Sequence, residues 1–432
     1  MRLTQFALLA CTALVLTGCN DTLETVERDV SHVKNKVDYP LAPAILAEMD
    51  KKNMERTSPI AIRIFKEEGV LEIWKAKRDN RFDKIAEYQI CAWSGKLGPK
   101  IKEGDRQAPE GFYNLTPAHL NPNSKYYLAI NTGFPNRYDA ANGRNGTNLM
   151  IHGACSSSGC YSMTDAQILE IYGFARDAFK GGQKTVQLQA FPFRMTAENM
   201  ARHRKSEHLE FWKMLKVGYD NFEVTKRPPE VNVCEKKYVF NQQVEGGAFN
   251  ASGQCPAMST PPALASALLS YDKTYDLAYD KAMKKFDGMA WYDPSEAERK
   301  ALVAEKRKGR EPAYAPTGSA LKAGKLMKET EYAALMEKKA QQVTTTSPAT
   351  TATASALRTP HPTATATQPV APQSNPAPAA PTMVASAAPA PGQNGATAQS
   401  VPVPTINPLA YSAAPPAEAP EKKPFWKFWA KE

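Results

Sequence analysis

Ile60, Ile62 and Ile64 alternate with small or polar residues, the period of two expected of a β-strand with one face turned to a core. Glu68-Gly69 marks a turn, and Leu71-Glu72-Ile73-Trp74 begins a partner strand. Further strand-like runs cover Ile85 to Trp93, Tyr126 to Asn131, Asn148 to His152 and Thr185 to Phe191, separated by turns such as Gly104 to Gly111. Short strands at this spacing predict a sandwich or an open barrel. One helix is well signalled. Thr164-Asp165-Ala166-Gln167 is a capping-box pattern, Ile168, Ile171, Tyr172, Ala175 and Phe179 follow at helical spacing, and Gly181-Gly182 ends the run. An amphipathic stretch from Thr196 to about Glu223 carries Met200, Leu209, Phe211, Trp212 and Leu215 and predicts a further helix. Ala263 to Ala340, rich in Lys, Glu and Ala, reads as solvated helices covering or projecting from the core.

Composition changes the domain count. A chain of 432 residues suggests two or three domains. From about Gln341 to Pro420, however, it is almost entirely Ala, Pro, Thr, Ser, Gln and Val, with Tyr411 the only aromatic. Such a segment buries too little apolar surface to offset its ordering entropy, and reads as a disordered, semi-extended tether. The expected layout is a leader over 1–18, a linker or helix over 19–57, a catalytic domain over 58–193, a helical accessory region over 194–340, the tether over 341–421 and a basic aromatic motif over 422–432.

The leader is an export signal: Arg2 supplies the positive start, and Phe6 to Leu16 form an apolar run short for a membrane span. It ends in Leu16-Thr17-Gly18-Cys19, which resembles a bacterial lipobox with Cys19 as the lipidated residue. Asn20 carries no acidic retention signal, so the expected location is the periplasmic face of the outer membrane. In that oxidising compartment Cys91, Cys155, Cys160, Cys234 and Cys255 remain, an odd number consistent with one free thiol. Cys234 and Cys255 flank a glycine-bearing loop and form a candidate disulfide.

Chemistry concentrates in Ile151-His152-Gly153-Ala154-Cys155-Ser156-Ser157-Ser158-Gly159-Cys160. A thiol attacks as thiolate, and an imidazole within reach can take its proton and hold an ion pair at neutral pH. Gly159 allows a tight turn that aims N–H groups at a developing oxyanion. The reading is acyl transfer through a thioester on Cys160, with His152 as general base and acid and the amides of Ser158, Gly159 and Cys160 as the oxyanion hole. Cys155 is the rival nucleophile, but lacks the preceding glycine. Ser157 is a candidate for orienting the turn, Tyr126, Tyr127 and Asn131 for touching substrate, and Gly153 for close strand approach. Asp165 reads as a charge at a helix start rather than a catalytic carboxylate. His203 and His208 do not share a helical face, so no metal site is expected, and no cofactor.

The pattern His-Gly…Ser-x-Gly-Cys-x-x-Met resembles the signature of the YkuD-type L,D-transpeptidases of bacterial cell walls. HGACSSSGCYSMTD, followed by FPFRMTAENMARH and FWKMLKVGYDNFE, is similar to the YafK-like branch, over about Ser58 to Cys234. The motif departs from the commoner Ser-His-Gly-Cys-x-Arg: Ser158 and Ser162 stand where that His and Arg would be, so an arginine that could grip a substrate carboxylate is absent from it. The His-to-Cys spacing is also shorter than in most of the family. The resemblance implies a β-rich catalytic domain, a YkuD-like β-sandwich with the cysteine motif at one end, bearing α-helical C-terminal additions and the disordered Ala/Pro/Thr tail. It implies a nucleophile at Cys160 acting on peptidoglycan stem peptides beside diaminopimelate. Two routes share the thioester: transfer to an amine, and hydrolysis that releases a wall-bound lipoprotein or trims stem peptides. A third reading is a non-catalytic wall-binding lipoprotein.

The net charge of +10 suits an anionic surface, whereas export and the lack of a basic groove motif argue against nucleic acid. Besides a membrane anchor at Cys19, the clustered Phe425, Trp426, Phe428 and Trp429 among lysines suit a membrane interface or a partner groove.

Overall fold

The computed structural model describes residues 29–308 and 320–345. The expected leader, the lipidation site Cys19, the tether beyond Thr345 and the terminal aromatic motif lie outside the described residues.

Ten strands build two sheets: β1 (Ile60–Phe65), β2 (Val70–Ala76), β3 (Phe82–Gln89), β4 (Ala92–Trp93), β5 (Gly111–Leu115), β6 (Leu120–Asn121), β7 (Ala129–Asn131), β8 (Met150–His152), β9 (Tyr161–Ser162) and β10 (Val186–Phe191). One sheet runs β3-β2-β1-β10-β5 and the other β4-β9-β8-β7-β6. Each contains one parallel pair, β1 with β10 and β8 with β9. Helix α3 (Asp165–Lys180) connects β9 to β10 and contacts β1 of one sheet and β7 and β8 of the other. Ile62, Ile64, Ile130, Ile151, Ile168 and Phe174 share one core. The capping box forms as expected: Gln167 N–H donates to Thr164 Oγ1 at 3.2 Å, and Thr164 N–H donates to Gln167 Oε1 at 3.0 Å.

The expected alternation of β1 is overridden, because both faces are covered. Helix α5 (Leu209–Thr225) lies on the face away from α3, with Phe222 edge-on to Trp74 at 5.1 Å and Tyr219 edge-on to Phe191 at 5.3 Å. Arg63, on that face, is buried with its guanidinium 4.2 Å from the Phe222 ring centroid and 2.7 Å from Glu223. Three strand expectations shorten. The run Ile85 to Trp93 breaks at Ile90-Cys91, where the chain leaves one sheet for the other, and Cys91 N–H donates to Ser162 O at 2.9 Å. The strands ending at Asn131 and His152 begin only at Ala129 and Met150, after residues with left-handed backbone, Tyr127 (φ 69°) and Asn148 (φ 56°).

The expected boundaries at 57/58 and 193/194 both fall inside one core. Val30, Leu41, Met49 and Met54 from the N-terminal segment, which includes α1 (Pro43–Lys51), and Trp212, Leu215 and Phe240 from beyond 193 join it. The single helix expected over Thr196 to Glu223 is two, α4 (Ala197–Arg202) and α5, broken at His203–His208. His203 stacks on Phe193 with centroids 4.4 Å apart; its Nε2 lies 3.0 Å from Glu67 and its Nδ1 3.6 Å from Asp293. Arg202 also pairs with Glu67, so this is an ion-paired joint between the β1–β2 turn and the C-terminal region. There, helix α6 (Pro262–Lys285) packs on α4 but leaves Leu269 and Leu277 exposed, and Glu296–Arg307 forms a helix, called αC here. The helix Glu329–Thr345 carries helical structure a few residues into the stretch expected to begin the tether.

At the base of the loop 96–110 sits a fully buried ion pair, Lys66 Nζ to Glu110 Oε1 at 2.9 Å. The ammonium also donates to the carbonyls of Lys96, Gly98 and Ala108, and the carboxylate accepts from Gly98 N–H and Trp212 Nε1–H. Deleting one partner strands the other in a dry interior, which costs about 3–5 kcal/mol. Glu110→Ala is therefore expected to lower unfolding free energy in urea by about that amount. A loss below about 1 kcal/mol would mean that the pair does not hold this loop.

Candidate active site

The strands β8 and β9 lay the segments that carry His152 and Cys160 side by side. Their parallel register pairs Ile151 with Tyr161, which sets Met150 beside Cys160; Met150 N–H points at Cys160 Sγ at 3.4 Å. His152 is two residues further along β8, so it projects from the same face as Met150. Cys160 is half-buried and its thiol donates to Asn148 O at 3.5 Å. His152 is buried, and its Nδ1 lies 2.6 Å from Gly153 O. A carbonyl only accepts, so Nδ1 carries the proton and Nε2 is left as the basic nitrogen of the neutral ring. Tyr126, half exposed, lies over the imidazole with ring centroids 4.6 Å apart.

The loop between the two residues is held from several sides. Gly159 has φ +110°, outside the range that other residues adopt readily, as the tight-turn expectation required. Ala154 (φ 64°) and Cys155 (φ 48°) are consecutive left-handed non-glycine residues, a conformation that persists only when its surroundings fix it. Ala154 N–H donates to Asp165 Oδ1 at 2.8 Å, which gives that carboxylate the structural role expected of it. Cys155 is bonded to Cys91, tying the loop to the start of β4. The second bridge joins Cys234 and Cys255, and Cys160 is the free thiol among the described residues. Cys155, the rival nucleophile, is thus removed from contention in the oxidised protein.

Ser157 orders the turn. Its Oγ donates to Cys160 O at 2.7 Å, accepts from Cys160 N–H at 3.2 Å and meets Ser94 Oγ at 2.9 Å. Of the three amides expected to form an oxyanion hole, that of Cys160 is therefore already engaged inside the loop. Those of Ser158 and Gly159 meet no protein acceptor among the described residues. Tyr127 turns away from the site, donating its hydroxyl to Val30 O at 2.9 Å, and Asn131 accepts from Gly133 N–H at 2.9 Å. A methyl group on Gly153 would stand 2.4 Å from Asp165 Oδ1 and 2.9 Å from Tyr126 O, so this glycine permits close approach, as expected.

Residues absent from the sequence motif complete the surroundings. Arg106, itself left-handed at φ 58°, donates to Ser158 Oγ at 3.2 Å and pairs with Glu296 of αC at 2.9 Å. Arg299 of αC stacks its guanidinium 3.8 Å from the Trp93 ring centroid and donates to Gly95 O at 2.5 Å. A cavity of about 380 Å³ lies between αC and the loop, lined by Trp93, Ser94, Cys155, Ser157, Glu296 and Arg299. No local pattern marks Arg106 or Cys91; each reaches the loop only through the tertiary fold. Ser162, where the commoner motif has arginine, is fully buried.

Electrostatics favour neutral forms of both central groups. Burial pushes the Cys160 thiol up, against smaller opposing effects of the Met150 N–H and the Lys100 ammonium. Burial also pushes the His152 imidazole down, against its bond to Gly153 O. The ion pair expected from sequence is not the resting state; both the thiol and the imidazole are neutral at rest. Alkylation of Cys160 by iodoacetamide should therefore rise with pH through a midpoint above the ordinary thiol value of about 8.5. A midpoint below about 7 would show a preformed thiolate instead.

The model of the YkuD L,D-transpeptidase catalytic domain matches residues 62–187. The putative L,D-transpeptidase YafK of Escherichia coli K12 is 49% identical over 185 residues, covering 43% of this chain and 75% of that protein. Among solved structures, the helical cell shape determining protein Pgp2 from Campylobacter jejuni is 18% identical, covering 44% of this chain and 79% of that one, with a TM-score of 0.25. Bd1075 of Bdellovibrio bacteriovorus is 21% identical, covering 40% and 63%, with a TM-score of 0.24.

Proposed function

The chain belongs to the YkuD L,D-transpeptidase family, and from that premise we propose that it is a peptidoglycan-modifying L,D-transpeptidase with Cys160 as nucleophile. The observation that carries this reading is one unbridged thiol immediately before β9, against Met150 of β8, two residues along the chain from a buried imidazole whose Nε2 carries no proton.

In the proposed reaction, Sγ of Cys160 attacks the carbonyl beside a diaminopimelate residue while its proton passes to His152 Nε2. The amides of Ser158 and Gly159 stabilise the oxyanion that forms. Collapse expels the leaving amine, which takes the proton from His152, and leaves a thioester. An amine of a second stem peptide or of a protein then attacks the thioester, giving up its proton through His152 and restoring the thiol. Lowered basicity suits His152 to this role, since the ring stays neutral and able to accept below the ordinary imidazole value of about 6.5. Water in place of the amine gives hydrolysis by the same residues.

Location follows as part of the proposal: a lipoprotein anchored at Cys19 on the periplasmic side of the envelope. Two disulfides among the described cysteines support an oxidising compartment.

Incubation of the purified protein with defined muropeptides, read by mass spectrometry, tests the activity. Cross-linked or exchanged products are expected, and Cys160→Ala should abolish them. Bare tripeptide or freed lipoprotein would assign hydrolysis. Failure of a carbapenem to acylate Cys160 in the intact fold would leave a wall-binding role.

A further inference from the structure

We propose that Arg106 is the anchor for the substrate's carboxylate, and that Glu296 of αC occupies its guanidinium in the resting protein as an internal carboxylate. This rests on the acyl-transfer reading of Cys160. A family pattern with arginine two residues beyond the cysteine is replaced here by Ser162, which is buried and too short to reach a ligand. Arg106 enters the same neighbourhood from another loop. One of its terminal nitrogens donates to Ser158 Oγ, two residues before Cys160, and the other meets Glu296 Oε1 at 2.9 Å. Its backbone lies against Gly159, where an added Cβ would stand 3.8 Å from Gln107 O and 3.9 Å from the Arg106 carbonyl carbon.

The loop geometry holds this residue in place. Asp105 accepts from the amides of Ile101, Lys102 and Gln107, which fixes the turn, and Arg106 keeps a left-handed φ of 58° that a non-glycine residue adopts at a cost. Other cations nearby are already engaged. Lys100 is buried and donates to Asp105 and to Lys102 O, Arg144 is buried against Asp139, and Arg299 is committed to backbone carbonyls and the Trp93 ring. The Arg106 side chain is 48% exposed, and it already holds one carboxylate oxygen, Glu296 Oε1, in a charge-assisted bond. Glu296 divides its two oxygens: Oε2 takes Gly95 N–H, and Lys300, one helical turn on, shares Oε1 with Arg106, so a partner stays with that oxygen when Arg106 leaves it. A substrate carboxylate arriving beside Cys160 exchanges with Glu296 on Arg106.

Two reactions of Cys160 separate anchoring from thiol chemistry: acylation by a carbapenem, which bears a carboxylate, and alkylation by neutral iodoacetamide. Arg106→Gln is expected to slow carbapenem acylation about tenfold or more while leaving the iodoacetamide rate unchanged. Arg106→Lys should recover part of the loss, and Glu296→Gln should raise the carbapenem rate severalfold without changing alkylation. Equal carbapenem rates in the wild type and Arg106→Gln would overturn the proposal while leaving the acyl-transfer reading standing. Parallel losses in both reactions would also overturn it, since they would mean a distorted loop. If the wild-type thiol reacts with iodoacetamide but never with the carbapenem, the acyl-transfer reading fails and the anchor falls with it.

Discussion

The candidate site depends on the buried pair Lys66–Glu110 more than on any contact within the site itself. An isolated charge in a protein interior is prohibitively costly, and this pair is tolerable only because every donor and acceptor on it is used. Lys66 reaches three carbonyls of the loop 96–110, and Glu110 takes an amide from that loop and the indole N–H of Trp212 on α5. Burial pushes the Lys66 ammonium down, and the adjacent carboxylate opposes this and keeps the pair matched. The consequence reaches outward. The same loop carries Lys100, Asp105 and Arg106, and its far end lies against Gly159. A network that is satisfied only in one arrangement fixes the loop in one arrangement, and through it the wall on which the Cys160 turn rests.

A second set of ties acts on the turn from the opposite side. The Cys91–Cys155 bridge and the Ser94–Ser157 bond both run from the β4 region to the segment between His152 and Cys160. Neither contacts the sulfur directly. Together with Ala154 N–H on Asp165, they over-determine two consecutive left-handed residues that isolated chain would avoid. The helix αC joins on the same side, through Arg299 on Trp93 and Gly95. Hence the C-terminal addition is coupled to the candidate site through the β4 region as well as through Arg106.

What was legible in the sequence was local. The capping box of α3, the glycine turn at Gly159 and the odd free thiol follow from short-range chemistry, and the Cys234–Cys255 bridge, a candidate in the sequence, forms. What was hidden depends on neighbours far along the chain. The Cys91–Cys155 bridge spans 64 residues and forms only because the chain changes sheets at Ile90-Cys91. Arg63 falls at a polar position of the alternation, which says nothing about a helix that will cover the second face, yet it is buried there. Arg106 is one of 54 lysines and arginines, and nothing beside it in sequence distinguishes it from a solvated charge. The break at His203–His208 falls in a stretch with no apolar residue, and Glu67 and Asp293 hold His203 at the end of α4.

The neutral state of the thiol resolves an apparent conflict in the design. A permanent thiolate five residues from a disulfide would be prone to attack that bridge or be oxidised, because exchange and oxidation both proceed through the thiolate. Burial raises the thiol and lowers the imidazole, so neither partner is charged at rest. On the proposed mechanism the proton moves only when an electrophile is seated and its developing oxyanion is met by loop amides. Lys100, close enough to favour the anion but held by Asp105, limits how unfavourable that transfer becomes. On the proposed mechanism, a neutral imidazole and a half-buried neutral thiol therefore trade resting reactivity for selectivity. On that mechanism, the same burial that disfavours the thiolate toward small oxidants makes its formation depend on a correctly bound acyl donor.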